Sequence, residues 1–307
     1  MRHRTLGRSG PSVSELGLGT NNFGTRLDAT AAGAVLSAAL DAGVTFIDTA
    51  DIYGKGASES LLGKLLGPRR RDVVLATKVG NAMSDSPYER GGSRRWIVRA
   101  VEDSLRRLDT DWIDLYQLHT PDPLTPIEET LRAFDDLVRA GKVRHVGHSN
   151  LAAWQVADAD WIARTGGLAR PISAQNHFNL LVRDPERELL PACRALGLGV
   201  IPFFPLEQGF LTGKFRGGDT PAGARLTGSP RAGSLLTPGN HARVERLAAF
   251  AEERGHALLD LALGWLLSHD EVSTVIASAS TAEQVRRNAA AAEWRLDEAE
   301  MAAVATL

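Results

Sequence analysis

Short apolar runs rich in Val, Ile and Leu alternate with longer stretches whose apolar residues recur at helical spacing. The runs predict strands at 16–20, 44–48, 73–78, 112–119, 143–150, 172–176, 199–204 and 272–276. Between and after them the periodicity predicts helices at 31–42, 59–66, 94–107, 126–139, 152–164, 185–196, 243–255, 258–268, 282–292 and near 297–304. Pro126 suits a first helical turn, where its missing N–H costs nothing. Ahead of this series, residues 2–18 hold two short runs around Gly7-Arg8-Ser9-Gly10-Pro11, which reads as a small β-hairpin feeding the first strand.

Eight strands alternating with helices in 307 residues predict an α/β chain that closes into one (β/α)8 TIM barrel, residues 1–307 as a single domain. A doubly wound open sheet is the alternative. Arg216 to Asn240, rich in Gly, Pro, Ser and Thr, is a long loop after the seventh strand and is expected to act as a lid or binding loop. Glycines 17, 19 and 24 do not make a dinucleotide fingerprint, because their spacing is wrong and Asn21-Asn22-Phe23 stand where a helix should open.

In a barrel of parallel strands, all carboxyl ends face one mouth. Here those ends read Asp48, Lys78, His119, Ser149-Asn150, Gln175 and Phe203, with Tyr53 just past the first. Each alone could be a cap, a turn or a packing residue. Together they offer an acid, a cation, an imidazole, amides and an aromatic plane to one pocket. A phenol near pKa ~10 is a poor proton donor at neutral pH. Lys78 nearby is expected to pull that value down, with Asp48 keeping the ammonium charged and His119 orienting a carbonyl oxygen. Ser149, Asn150 and Gln175 suit a carboxamide, and Phe203 offers a stacking face. Ser278-Ala279-Ser280-Thr281 open a helix whose free N–H groups could hold an anion or simply be capped.

Hydrophobic content of 43%, charged content of 23% and a net charge of −2 fit a soluble protein with a full core and give no sign of nucleic-acid or membrane partners. Neither the first residues nor Leu258–Leu267 has the apolar length of a signal or membrane span, so a cytoplasmic location is expected. The one cysteine, Cys193, excludes an internal disulfide and is expected as a buried structural thiol. No metal is expected: His145 and His148 point to opposite faces of a strand, and Lys78 opposes an ion at Asp48, Asp51 and His119. No Gly-x-Ser-x-Gly elbow supports serine hydrolysis.

Leu16-Gly17-Leu18-Gly19-Thr20, Phe46-Ile47-Asp48-Thr49-Ala50, Ala76-Thr77-Lys78, Asp114 to His119, Gly147-His148-Ser149-Asn150, Gln175-Asn176, Pro205-Leu206 and Leu211-Thr212-Gly213-Lys214, in this order, resemble the aldo-keto reductase family nearly end to end. The resemblance implies an NAD(P)H-dependent oxidoreductase acting on a small carbonyl or alcohol substrate, with catalytic residues Asp48, Tyr53, Lys78 and His119 and Tyr53 as general acid. It implies NADP(H), with NAD(H) not excluded, held by Thr20, Asn21, Asp48, Ser149, Asn150, Gln175, Phe203, Pro205, Leu206, Lys214, Arg225, Ser278, Ser280, Gln284 and Asn288. Arg286, Arg287 and Lys214 are candidate phosphate partners. Gln284 stands where some relatives carry arginine, and Phe203 where many carry tyrosine or tryptophan. Asn21, Asn22, Phe23, Tyr88, Trp112 and Phe178 are candidate substrate contacts. The competing reading is a nicotinamide-binding regulatory protein resembling potassium-channel β subunits.

Overall fold

The computed structural model describes residues 1–218, 221 and 223–307. The N-terminal hairpin forms as expected: β1 (His3–Thr5) runs antiparallel to β2 (Ser12–Ser14), with His3 opposite Ser14. There follow β3 (Leu16–Gly19), α1 (Ala29–Asp41), β4 (Phe46–Asp48), α2 (Ala57–Leu66), β5 (Val74–Val79), α3 (Arg94–Leu108), β6 (Ile113–Leu118), α4 (Ile127–Arg139) and β7 (Val143–Ser149). The second half adds α5 (Ala153–Thr165), β8 (Pro171–Gln175), α6 (Leu189–Leu196), β9 (Gly199–Val200), α7 (Ala232–Leu235), α8 (Pro238–Glu252), α9 (Leu258–Leu267), β10 (Val275–Ala277), α10 (Ala282–Ala291) and α11 (Glu298–Ala305).

Among the described residues, eight strands pair in parallel in the order β10-β3-β4-β5-β6-β7-β8-β9. The two ends of that order meet around Val200: its N–H donates to Glu271 O at 2.8 Å, and its carbonyl accepts from Ser273 N at 3.0 Å. The sheet is therefore the (β/α)8 barrel expected from the alternation, not an open doubly wound sheet.

Two apolar layers hold it. Inside the barrel, Phe46, Ala76, Leu115, Ile201 and Ile276 pack against Leu6 and Val13 of the hairpin, which closes the amino-terminal end. The larger layer lies between the sheet and the surrounding helices. Gly147 leaves room for the Ser173 side chain of the next strand: an added Cβ would stand 2.2 Å from Ser173 Oγ.

Several boundaries differ from the sequence expectation for identifiable reasons. Pro126 precedes α4 with extended backbone (ψ 132°) and serves as its cap position, not its first turn. The helix expected from Pro185 breaks into a 3-10 turn, Asp184–Glu186, before α6 begins at Leu189. The seventh barrel strand is only Gly199–Val200; Pro202 has no N–H to continue the ladder, and Phe203 returns as a single bridge to His177. The eighth begins at Val275, although Val272 already bridges Val200. Part of the loop 216–240 forms helix α7, and α8 starts at Pro238 with Thr237 Oγ1 accepting from Asn240 N at 3.2 Å.

Candidate active site and cofactor groove

The carboxyl ends of β4 and β5 bring Asp48 and Lys78 together because the two strands are in register, Asp48 beside Ala76. Lys78 Nζ donates to Asp48 Oδ2 at 2.6 Å and to Thr49 O at 2.8 Å, and both side chains are buried, at 0% and 1% exposure. Gln175 Nε2, from β8, donates to the other carboxylate oxygen, Oδ1, at 2.9 Å. Thr20 Oγ1 donates to Asp48 O at 3.0 Å, fixing the same residue through its backbone. With both carboxylate oxygens and the ammonium hydrogen-bonded, the ion pair meets the condition under which a buried charge is tolerable.

Tyr53 opens a short 3-10 turn, Tyr53–Gly56, just past β4. Its hydroxyl lies 3.5 Å from Lys78 Nζ, at the outer limit of a hydrogen bond. The ring meets the His119 ring edge-on, centroids 5.9 Å apart. Asp48, Tyr53 and His119 line one cavity of about 240 Å³ together with Thr20, Asn21, Ser149, Asn150, Gln175, Phe203 and Ser278.

The electrostatics of the site follow from burial and neighbours. Burial pushes Lys78 towards neutrality, but Asp48 and the Tyr53 oxygen outweigh it and raise its pKa above the ordinary 10.5. For Tyr53 the balance goes the other way: burial dominates and lifts the phenol above the ordinary 10.0, against the pull of Lys78. The expectation that Lys78 makes Tyr53 unusually acidic is therefore not met in the structure. At 3.5 Å the ammonium compensates only part of the desolvation, and the phenol keeps its proton at neutral pH. His119 is pulled down to about 3, first by burial and then by Lys78, so its imidazole is neutral.

The amide cluster is already knitted together. Ser149 Oγ donates to Gln175 O at 2.8 Å, and Asn150 Nδ2 donates to His119 O at 2.9 Å and to Ser149 Oγ at 3.0 Å. Gln175 thus spends one of its two side-chain N–H groups on Asp48, which leaves the other and its amide oxygen to offer to a bound molecule.

A second cavity, about 410 Å³, continues from the first and shares Phe204, Ile276 and Ser278 with it. It runs past Pro205, Leu206, Lys214 and Arg225 to Ser280, Gln284 and Asn288. Arg26, Lys214, Arg225 and Arg287 line it, and none of the four has a carboxylate partner among the described residues. No Asp or Glu lines this second cavity among the described residues. Gly209 has φ +96°, a conformation that favours glycine, and an added Cβ would stand 2.7 Å from Lys214 Cε and Nζ, so a larger residue would shift that side chain. An elongated groove bearing uncompensated cations fits a ligand with several phosphates and aromatic ends, and a nicotinamide dinucleotide meets that description.

Other expected contacts fall elsewhere. Of the candidate substrate contacts, Asn21 lines the mouth, whereas Phe23 and Phe178 are wholly buried in the outer core. Asn22 is buried, its side chain donating to Ala279 O at 2.8 Å, and it borders the groove. Trp112 lies under Arg70, 4.6 Å from guanidinium to ring, with its indole N–H on Asp114. Tyr88 is exposed, covered by Arg95. Arg286 does not line the groove, whereas Arg287 does. Cys193 is buried, and burial pushes its thiol up to about 12. Among the described residues no group of three or more His, Cys, Asp or Glu could hold a metal ion, and no helix is long and apolar enough to cross a membrane.

Sequence reasoning missed Thr49, whose carbonyl accepts from Lys78, because a backbone acceptor leaves no trace in residue type. It also missed His177 and Glu207 behind Phe203, although a titratable residue close to Phe203-Phe204 in the chain, Glu207, was a signal.

Comparison with known proteins fits this geometry. Residues 15–307 match the model of the Aldo/keto reductase family. Over 308 aligned positions the chain is 40% identical to the uncharacterized oxidoreductase YrpG of Bacillus subtilis (strain 168), covering 97% of this chain and 93% of that protein. It is 38% identical to a probable voltage-gated potassium channel subunit beta of Oryza sativa subsp. japonica, covering 94% and 90% of the two. It is 34% identical to L-glyceraldehyde 3-phosphate reductase of Escherichia coli (strain K12), covering 94% and 86%. A match that starts at the hairpin's end and runs through the last helix, on a closed barrel of this strand order, admits one assignment: the chain belongs to the aldo/keto reductase family.

Proposed function

We propose that the protein reduces the carbonyl group of a small aldehyde or ketone, or runs the reverse on an alcohol, with NADP(H) as cofactor and Asp48, Tyr53, Lys78 and His119 as the catalytic residues. The observation that carries this reading is the buried Asp48–Lys78 pair, 2.6 Å apart, with the Tyr53 hydroxyl 3.5 Å from Lys78 Nζ, and Asp48, Tyr53 and His119 lining one cavity. When bound, the reduced nicotinamide supplies a hydride. Tyr53 donates its proton to the carbonyl oxygen, and the Lys78 ammonium stabilises the phenolate left behind. Neutral His119 donates a hydrogen bond to the same oxygen, which an imidazole depressed to about 3 does without changing charge. Asp48 keeps Lys78 charged and, through Gln175, fixes the amide wall.

Ser149, Asn150 and the Gln175 amide oxygen would hold the carboxamide, and Phe203 the ring. Pro205, Leu206, Lys214 and Arg225 would flank the pyrophosphate; Ser278, Ser280, Gln284 and Asn288 the adenosine end, with Thr20 and Asn21 at the nicotinamide end. The uncompensated cations of the groove favour the extra phosphate of NADP(H), with Arg287 as the adenosine-side candidate. Oxidoreductase and reductase names among the relatives support the activity, and the reductase of a phosphorylated aldehyde supports a small carbonyl compound as substrate. The test is Tyr53→Phe, expected to lower carbonyl reduction by roughly 10²–10⁴-fold with cofactor affinity nearly unchanged. Undiminished turnover would remove Tyr53 from the role.

The relatives named as probable potassium channel β subunits favour a second reading, a nicotinamide-binding regulatory protein. Steady NADPH consumption with a panel of small aldehydes supports the reductase; tight binding without turnover supports the regulator.

A further inference from the structure

Between Phe203 and Gln208 the backbone takes positive φ at three non-glycine residues, Phe204 (52°), Glu207 (43°) and Gln208 (56°). Left-handed conformations at such residues are unfavourable and persist where surrounding contacts over-determine them. The contacts here converge on the Glu207 carboxylate, which is 0% exposed. His177 Nε2 donates to its Oε2 at 2.6 Å, and Asn179 Nδ2 donates to the same oxygen at 2.5 Å. Asn179 Nδ2 also donates to Phe204 O at 2.9 Å, tying down the strained turn itself. From the long loop, Arg231 Nη2 stands 2.9 Å from the other carboxylate oxygen, off the angle of a hydrogen bond.

This network holds one ring in one plane. His177 lies parallel to Phe203, centroids 5.4 Å apart and planes 12° apart, and the two residues bridge through their backbones. Phe204 meets both rings edge-on, at 5.6 Å from His177 and 5.3 Å from Phe203. Phe203 lines the catalytic cavity, whereas His177 does not. A lone phenylalanine just past a two-residue strand would be free to turn about its side-chain torsions. A second flat ring locked by a carboxylate behind it removes that freedom.

We propose that His177 is a positioning residue: held by Glu207, it backs Phe203 and fixes the plane that Phe203 presents to the nicotinamide ring. The inference rests on the cofactor assignment above. It concerns the nicotinamide half, since Phe203, which His177 backs, lines the catalytic cavity and not the groove. The stack of Phe203 on the nicotinamide ring is an aromatic pair worth about 0.5–1.5 kcal/mol beyond buried area, so losing its alignment corresponds to roughly two- to tenfold in affinity.

The experiment compares wild type with His177→Ala, His177→Leu and His177→Phe. Each is titrated with NADPH and with 2′-phosphoadenosine diphosphoribose, which lacks the nicotinamide. Single-turnover hydride transfer is measured with 4-protio and 4-deuterio cofactor. For His177→Ala, the dissociation constant for NADPH is expected to rise roughly two- to tenfold. The truncated ligand should bind unchanged, hydride transfer should slow and its isotope effect should shift. His177→Phe should restore all of these, since it keeps a flat ring. If the alanine variant does not fold, the leucine variant, which fills space without a plane, takes its place against phenylalanine. Equal NADPH affinity and isotope effect in all variants overturns the inference, as does equal weakening of both ligands, which marks a structural role only. Failure of the wild type to bind NADPH or NADH at all instead removes the cofactor assignment.

Discussion

The two halves of the site are built by different means. Asp48 and Lys78 stand at the ends of β4 and β5, whose register alone brings them within 2.6 Å. The opposite side, from Phe203 to Lys214, has almost no strand: β9 stops at Val200, and the chain then enters a 3-10 turn with left-handed residues inside it. The strand side holds its charge by pairing, whereas the loop side leaves Lys214 and Arg225 without a carboxylate among the described residues. A buried paired charge is part of the fold, whereas a cation without a carboxylate, such as the half-buried Arg225, is available to a bound anion. On the proposed mechanism, proton transfer depends on the paired strand-end charges and phosphate affinity on the unpaired loop cations, and substitutions of these charges on the two sides should fail differently.

The largest effect is expected on the strand side. Lys78→Met removes the stabiliser of the phenolate and leaves Asp48 buried without its cation, so turnover should fall by roughly 10²–10⁴-fold. Stability should fall by about 3–5 kcal/mol, measured by denaturant unfolding. Adding Asp48→Asn removes the stranded charge, and the double variant should regain stability without regaining turnover. A double variant as unstable as the single one would mean that packing, not charge, explains the loss.

On the loop side, Arg225→Ala should act on binding. Loss of a partly buried cation from the groove should raise the dissociation constant for NADPH by about tenfold, with a smaller difference at high salt. The rate of single-turnover hydride transfer at saturating cofactor should change little. A variant that binds normally but reacts slowly would break the division between the two halves.

That division also explains what can be read from residues alone. Asp48, Lys78, His119 and Gln175 are legible because a strand end fixes where its side chain points, so the order of strands is enough to gather them. The hairpin is legible from Gly7 to Pro11, whereas the packing of Leu6 and Val13 against the barrel interior shows only in the structure. The His177–Glu207 support is not, because it depends on a left-handed turn that no periodicity encodes. The direction of the Tyr53 shift escapes the sequence for a related reason. Residue types announce that an ammonium is near, but only the 3.5 Å separation and the partly enclosed position of the phenol decide that desolvation outweighs it.

The shift makes the pH dependence a sharper test than any single substitution on the rigid side. On the proposed mechanism, carbonyl reduction needs the protonated phenol, which is held above 10.0, and a neutral His119, depressed to about 3. The pH profile of kcat/KM should be level from about pH 5 to about pH 9 and fall only beyond that. Alcohol oxidation needs the phenolate and should rise with pH over the same range. A reduction profile that falls across pH ~6–7, the ordinary histidine range, would contradict the neutral imidazole in this cavity.

The smallest effect on turnover is expected at Asp51, a carboxyl close to Asp48 in the chain. Asp51 is buried, but neither carboxylate oxygen has a hydrogen-bond partner, so it lacks what Asp48 obtains from Lys78 and Gln175. Burial, and then the Glu59 carboxylate, push its pKa up to about 8, against the weaker pulls of the nearby Ile52 N–H, Arg107 and Lys78. In the unfolded chain the group ionises near 3.8, so between about 4 and about 8 the folded state binds a proton that the unfolded state has released. The stability associated with this group is complete below about pH 4 and is lost as pH rises through about 8. Asp51→Asn, which does not titrate, should melt close to wild type at about pH 5 and above it at about pH 8, with carbonyl reduction nearly unchanged. An identical difference in melting temperature at the two pH values would show that Asp51 titrates normally, and that partners, not burial, set the charge of both carboxyls.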